Sequence, residues 1–373
     1  MTLSIVSQCA PSALPDLRKL SGVRSTSIQA PAQRTFNIRV SFLVTLFAAT
    51  ILGRSPHLLL GQASGGLWQK EHSKIEKIAQ FTAKERSAIL FTIGDEALAY
   101  ANRGTVRKLD LQWGNAHCLS PLPVLSHDGR FLAYLGGGSS EGCSIRVLEI
   151  DTAKERLLIV LPYKPTSLSW SWDDSEIAFF DLRTPLPSIW AVSSRDGSVR
   201  LLVPSSSLKF DSTSTGILLN FGSLYSLEWS HSGRELLADF TRDVPTKQPN
   251  VYSSLPMVVR VQLAQGNTIS QLGDGYGAVV SPVADRAAWY QDNKIVAASL
   301  AGADRQVLTV ARWLGIFQAD FKGPLVWAPD GNRMFFGVWE SETCKDDVYL
   351  LSADTRHAKR FLRGTCITVL SWR

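Results

Sequence analysis

The sequence predicts an all-β fold, a β-propeller of short four-stranded blades. Three observations predict it. A strand–turn–strand pattern recurs along the chain, its spacing is that of a propeller blade, and further β-type runs separated by turn residues follow each copy.

The pattern is an apolar strand ending in an aromatic residue, then Ser, a turn with Asp or Gly, and a second apolar strand. Its clearest copies are Trp327–Phe336 (WAPDGNRMFF), Leu125–Tyr134 (LSHDGRFLAY), Trp170–Phe179 (WSWDDSEIAF) and Trp229–Ala238 (WSHSGRELLA). Val280–Trp289 (VSPVADRAAW) is a fifth copy without Asp-Gly, and Phe91–Tyr100 (FTIGDEALAY) aligns as a sixth. Ile367–Trp372 (ITVLSW) repeats the opening a seventh time.

The anchors at 91, 125, 170, 229, 280, 327 and 372 are separated by 34, 45, 59, 51, 47 and 45 residues, the range of four-stranded blades. The turns have the chemistry of a hairpin: Pro presets φ, Asp bonds nearby backbone, and Gly takes the left-handed position. Residues 144–150, 188–192 and 347–351 read as third strands, and 156–160 and 199–203 as fourth strands.

These residues resemble the TolB-type propeller repeat, a relative of the WD40 repeat whose hallmark is Trp-Ser-Pro-Asp-Gly between the first two strands. The resemblance covers about residues 65–373, and Trp327–Gly331 departs from the hallmark only at Ala328. It implies a propeller and leaves activity open, because such repeats occur in exported bacterial proteins and in prolyl-oligopeptidase-like enzymes. The family's namesake has a further α/β domain before its propeller, for which residues 1–64 are too short.

Seven blades are favoured and six are the alternative. Ile75–Thr82 resembles an outer strand and Gly66–Trp68 part of the strand before it. Joined to Ile367–Trp372, they would complete a seventh blade and close the ring, although that blade has no obvious second strand.

Charge is unevenly placed. Residues 1–60 hold six of the basic residues and one acid, so 64–373 is near neutral and exerts no global pull on phosphate; nucleic acid is not an expected partner. The N-terminal basicity precedes Val40–Gly53, an uncharged apolar run, and a small-residue site at Gly61-Gln62-Ala63. That order reads as a secretory signal, giving residues 1–63 as signal and 64–373 as propeller. Anchoring in a membrane through residues 40–60 and a buried helix are the alternatives. Either of the first two readings puts the propeller outside the cytoplasm, in the periplasm or secreted.

Catalytic, cofactor-binding and metal-binding residues are all expected to be none. Gly138–Gly142 fits G-x-S-x-G, but it lies between two blade strands and not at a strand-to-helix turn. No histidines stand at metal-ligand spacing; His127 and His231 occupy one turn position in two copies, read as exposed and far apart. Asp128, Asp173, Asp174 and Asp330 read as turn acids, and Trp170, Trp229, Trp327 and Trp372 as packing wedges between blades. The inner strands at 121–125, 167–170 and 277–280 are apolar or small, which favours binding over channel chemistry.

Departures from the repeat point to a partner. Residues 201–228 are longer than a blade connection needs, and Arg242–Pro256, with three prolines, reads as an irregular insertion. Arg242, Asp243, Lys247, Asn250 and Tyr252 are the candidate partner-binding residues. Cys143 and Cys344 fall in second-to-third-strand loops, and Cys118 and Cys366 precede first strands. Blade geometry puts these connections on one face, which predicts disulfides Cys118–Cys143 and Cys344–Cys366 in an oxidising compartment. The expected function is an exported, non-enzymatic binding or scaffolding propeller for a protein, peptide or glycan. The alternatives are a lyase or hydrolase acting in the central channel and the sensor domain of an anchored protein.

Overall fold

The computed structural model describes residues 66–373 apart from 95–96, 110, 112–121, 138–141, 164, 182–186, 209–225, 246–251, 265–266, 311–319 and 340–345. The expected signal or anchor therefore lies outside the described residues. A helical stretch at 66–70 leads into helix α1 (His72–Glu85). Blade 1 begins with β1 (Ala88–Ile93), β2 (Ala97–Asn102) and β3 (Thr105–Leu109).

Five sheets of consecutive strands follow. Blade 2 is β4 (Val124–Leu125), β5 (Phe131–Gly137), β6 (Cys143–Glu149) and β7 (Lys154–Leu161). Blade 3 is β8 (Thr166–Trp170), β9 (Glu176–Asp181), β10 (Ser188–Ser193) and β11 (Val199–Val203). Blade 4 is β12 (Leu227–Trp229), β13 (Glu235–Pro245), β14 (Tyr252–Gln262) and β15 (Thr268–Asp274). Blade 5 is β16 (Tyr276–Val280), β17 (Arg286–Gln291), β18 (Lys294–Ser299) and β19 (Gln306–Val310). Blade 6 is β20 (Asp320–Trp327), β21 (Arg333–Trp339), β22 (Asp346–Ser352) and β23 (Ala358–Thr365). The last strand, β24 (Ile367–Trp372), returns to pair with β1.

The fold is an all-β propeller of six blades. The favoured count of seven fails at two places. Phe91 lies in β1, the second strand of blade 1, so Phe91–Tyr100 spans a second-to-third-strand hairpin. The true inner strand of that blade is β24, paired from Ile89↔Trp372 to Ile93↔Ile367 with a bulge between Leu90 and Phe91. Without the copy at 91, the six anchors left correspond one to one with six blades.

The second failure is Ile75–Thr82, which is helix and not strand. Its apolar residues recur at helical spacing: Ile75, Ile78 and Thr82 are buried and Phe81 is partly so, while Glu76, Lys77 and Gln80 face solvent. Helix α1 lies across the joint between blades 1 and 6. The Phe81 ring meets Phe335, Phe361 and Trp372 edge-on at centroid distances of 5.6, 5.0 and 5.2 Å. Lys74 Nζ donates to the Gly364 carbonyl at 2.6 Å, and Lys77 Nζ to that of Phe361. At the other end Arg333 bonds Glu85 at 2.8 Å and stacks over Trp372 at 5.1 Å. The joint is thus closed twice, by strand pairing and by the helix.

The core sits between blades. Second strands such as β1 and β9 are almost wholly buried because a sheet faces them on both sides, whereas the outer strand β7 is largely exposed. The anchor tryptophans are buried as expected. Trp170 and Trp327 also donate through Nε1 to the inner strand of the preceding blade, at Val124 and Val279, at 3.0 and 3.3 Å.

Candidate binding sites on the arm and the axis

The turns between first and second strands are built from the repeat itself. Ser126, Ser171 and Ser230 accept from the amides of Phe131, Glu176 and Glu235 at 2.9, 2.9 and 3.1 Å. Asp128, Asp173 and Asp330 accept from the amides two residues on, at 2.9, 3.2 and 2.8 Å, as turn acids should. Gly129, Gly233 and Gly331 take φ of +72°, +67° and +67°. In blade 3 this position is Asp174, left-handed at φ +55°, and its carboxylate has a different job. It accepts from the amides of His127 and Asp128 in blade 2, at 2.8 and 3.1 Å, and meets His127 Nδ1 at 2.9 Å.

His127 and His231 are accordingly not far apart and exposed, as the repeat suggested. In a six-membered ring these turns converge, and the equivalent residue of blade 3, Trp172, bridges the two. Its ring centroid lies 4.5 Å from His127 and 4.1 Å from His231, and all three side chains are half-buried. Burial holds the His127 imidazole below its ordinary pKa, against the pull of Asp174.

Sequence reasoning missed the charges on the axis. Glu228 and Arg373 line two small cavities together with His127, Leu370 and Ser371. Burial pushes the Glu228 carboxyl up to about 7, although Arg373 opposes the shift; nearby Asp239 adds to it. Burial also lowers the Arg373 guanidinium, with Glu228 and Asp174 holding it charged. Asp239 is buried and ties blade 4 to blade 5. It accepts from the amides of Ser226, Gly277 and Ala278 at 3.1, 2.6 and 3.4 Å, yet burial pushes its carboxyl up to about 7. The missed signal is a departure from the repeat. The residue before each anchor is Val124, Ser169, Glu228, Val279, Val326 or Ser371, and the residue after it is Ser126, Ser171, Ser230, Ser281, Ala328 or Arg373.

The candidate partner-binding segment is more ordered than an irregular insertion. β13 and β14 form one long hairpin, and its pairing continues from Thr241↔Pro256 to Pro245↔Tyr252 beyond the last β14–β15 pair, Met257↔Asp274. Arg242, Asp243 and Tyr252 are therefore strand residues, while Lys247 and Asn250 lie outside the described residues. Two prolines sit where no amide donor is needed: Pro245 closes β13, and Pro256 follows the end of the arm with only its carbonyl bonded, accepting from the Gly275 amide at 2.9 Å. The neighbouring long connection begins as a 3₁₀ turn at Ser205–Leu208, and the rest of it is outside the described residues.

Gly138–Gly142 lies in the sequence between β5 and β6, which pair with each other, and residues 138–141 are outside the described residues. Among the described residues, no three His, Cys, Asp or Glu side chains are grouped to hold a metal ion. Cys143 and Cys366 are buried, and Cys118 and Cys344 lie outside the described residues. A cavity of about 210 Å³ lies at the closing joint, where β20 bulges at Gly323 and Pro324 against Ile367–Val369; its lining is mainly apolar.

Comparison with solved structures places this geometry. TolB from Acinetobacter baumannii superposes with a TM-score of 0.52 at 13% identity, over 77% of this chain and 66% of that one. The fold is that of a TolB-type β-propeller. The chain spans just under two thirds of that TolB. Propellers from a nidogen/laminin complex (12% identity, 77% and 97% covered, TM-score 0.49) and an oligogalacturonate lyase in complex with manganese (13%, 73% and 73%, 0.46) are also similar. No family model and no curated protein matches the sequence of this TolB-type propeller.

Proposed function

We propose that this chain is an exported binding propeller whose β13–β14 arm, with Arg242, Asp243, Lys247, Asn250 and Tyr252, engages a protein, peptide or glycan. One observation carries the reading. The arm continues for five residue pairs past the blade that roots it, roughly 15 Å at the rise of a strand. A two-stranded ribbon that runs on past its sheet in this way is a form on which a partner strand or a sugar can bind. Export is supported by the basic, apolar and small-residue order of residues 34–63.

The test is site-specific photo-crosslinking in the source cell, with the probe at Lys247 or Asn250 and, as controls, at the exposed turn residues Asp304 and Asp354. A defined adduct from the arm positions only is expected, on a chain whose N-terminus lies near Ser64. Equal labelling from all four positions, or an intact Met1 chain in the cytoplasm, contradicts the proposal. One observation favours a channel enzyme instead: an enclosed acid near neutrality, Glu228, is suited to proton transfer. That reading requires a turnover that Glu228→Gln abolishes.

A further inference from the structure

Glu228 and Arg373 are the only charged residues at the two repeat positions that flank the six anchors. The ring brings both to one end of the channel, but they form no ion pair with each other. The Glu228 carboxylate has no hydrogen-bond partner among the described residues. The Arg373 guanidinium has only long bonds, from Nε to the Ser126 carbonyl at 3.3 Å and from Nη1 to that of Trp372 at 3.4 Å. Opposite charges that line one small cavity without meeting favour something polar between them.

Two neighbouring residues hold unpartnered polar atoms that are sealed from solvent. Ser371 is buried and lines both cavities, and its Oγ has no partner. Trp229 is buried and lines the larger cavity, and its Nε1 is likewise unpartnered, whereas Trp170 and Trp327 use theirs. The wall therefore offers an anion and a cation, with His127 beside them. The cavities measure about 60 and 50 Å³, room for a handful of non-hydrogen atoms.

We infer that the axis binds a small zwitterion, a free α-amino acid of glycine or alanine size, with its ammonium on Glu228 and its carboxylate on Arg373. The opposed charges exclude a simple anion or cation as the best occupant, since each would leave one wall charge unanswered. The size excludes a long side chain on the ligand. A residue within a peptide lacks both end charges. The site lies at the first-to-second-strand turns, the opposite end of the blades from the β13–β14 arm, and it stands without the arm's function.

The test is equilibrium dialysis of the full chain against labelled glycine and L-alanine, with ethylamine and acetate as half-ligands and L-phenylalanine as an oversized one. Saturable binding of glycine or L-alanine is expected, with either half-ligand weaker by about tenfold or more. Glu228→Gln should weaken binding by a similar factor while the circular dichroism spectrum is unchanged. Arg373→Gln, which removes the other charge, should weaken it by a similar factor and covers the case in which Glu228→Gln misfolds. Absence of saturable binding by the wild-type chain would leave the cavities to water and overturn the inference. So would binding that ignores both substitutions, or equal binding of acetate or ethylamine.

Discussion

Replacing Trp372 and Phe81 by alanine, singly and together, tests how the ring is closed. Trp372 ends β24 and is fully buried; its ring touches Phe81 of α1, Phe335 of blade 6 and the Arg333 guanidinium. Truncating a core Trp or Phe costs about 3–5 kcal/mol, and the partly buried Phe81 belongs at the low end. Their rings lie 5.2 Å apart and edge-on, a geometry worth about 1 kcal/mol beyond area. The double variant should therefore be less destabilised than the sum of the singles by about 1 kcal/mol. Phe81→Ala paired with Trp289→Ala, a buried residue of a separate cluster in blade 5, should be additive within about 0.5 kcal/mol. Urea denaturation followed by circular dichroism measures all of these. Additivity of Phe81 with Trp372, or coupling of Phe81 with Trp289, would refute the packing of α1 on the closing strand.

Two other expectations follow from buried groups. Glu228 and Asp239 are acids whose folded pKa values, about 7, lie above the roughly 4 of an unfolded carboxyl. Between about pH 4 and 7 the folded chain holds more protons at these positions than the unfolded chain, so their contribution to stability falls as pH rises. Glu228→Gln should flatten the decline of melting temperature over that window; parallel curves would show that Glu228 titrates normally. Disulfides Cys118–Cys143 and Cys344–Cys366 should appear in non-reducing peptide maps of the exported protein. Each loop encloses about 25 residues and is worth roughly 3 kcal/mol of chain entropy, so reduction should lower the melting temperature. Four alkylatable thiols, or any other pairing, would contradict the assignment.

Much of the ring was legible because each blade repeats one chemical solution. The anchors, the turns after them and the strands flanking those turns in blades 2 to 6 are placed by local residue type, whereas Arg242–Pro256 reads as an irregular insertion and is largely the ladder of β13 with β14. The first blade was not legible, since the β1–β2 hairpin mimics the anchor pattern with Phe91, a turn and an apolar strand. Only pairing with β24, nearly three hundred residues away, shows that Phe91 belongs to a second strand. Helix α1 carried its signal in Ile75, Ile78 and Thr82, a helical spacing that a search for a missing strand overlooked. The axial charges were hidden for another reason. Glu228 sits in a short inner strand and Arg373 beyond the last anchor, so neither looks unusual until the ring superposes equivalent positions. The convergence of His127, Trp172 and His231 is likewise a property of ring closure, not of any single repeat.

That closure is tested most directly by a cysteine pair across the joint. Thr92 and Thr368 are register partners in β1 and β24. Thr92→Cys with Thr368→Cys, under mild oxidation and read by peptide mapping, should give a 92–368 cross-link in the folded chain. Gln80→Cys with Thr368→Cys should give none, because residue 80 is on the solvent-facing side of α1. The reverse result, cross-linking of 368 to 80 and not to 92, would mean that the terminal strand pairs within a seventh blade. It would remove both the six-bladed ring and the placing of Glu228 and Arg373 on one cavity.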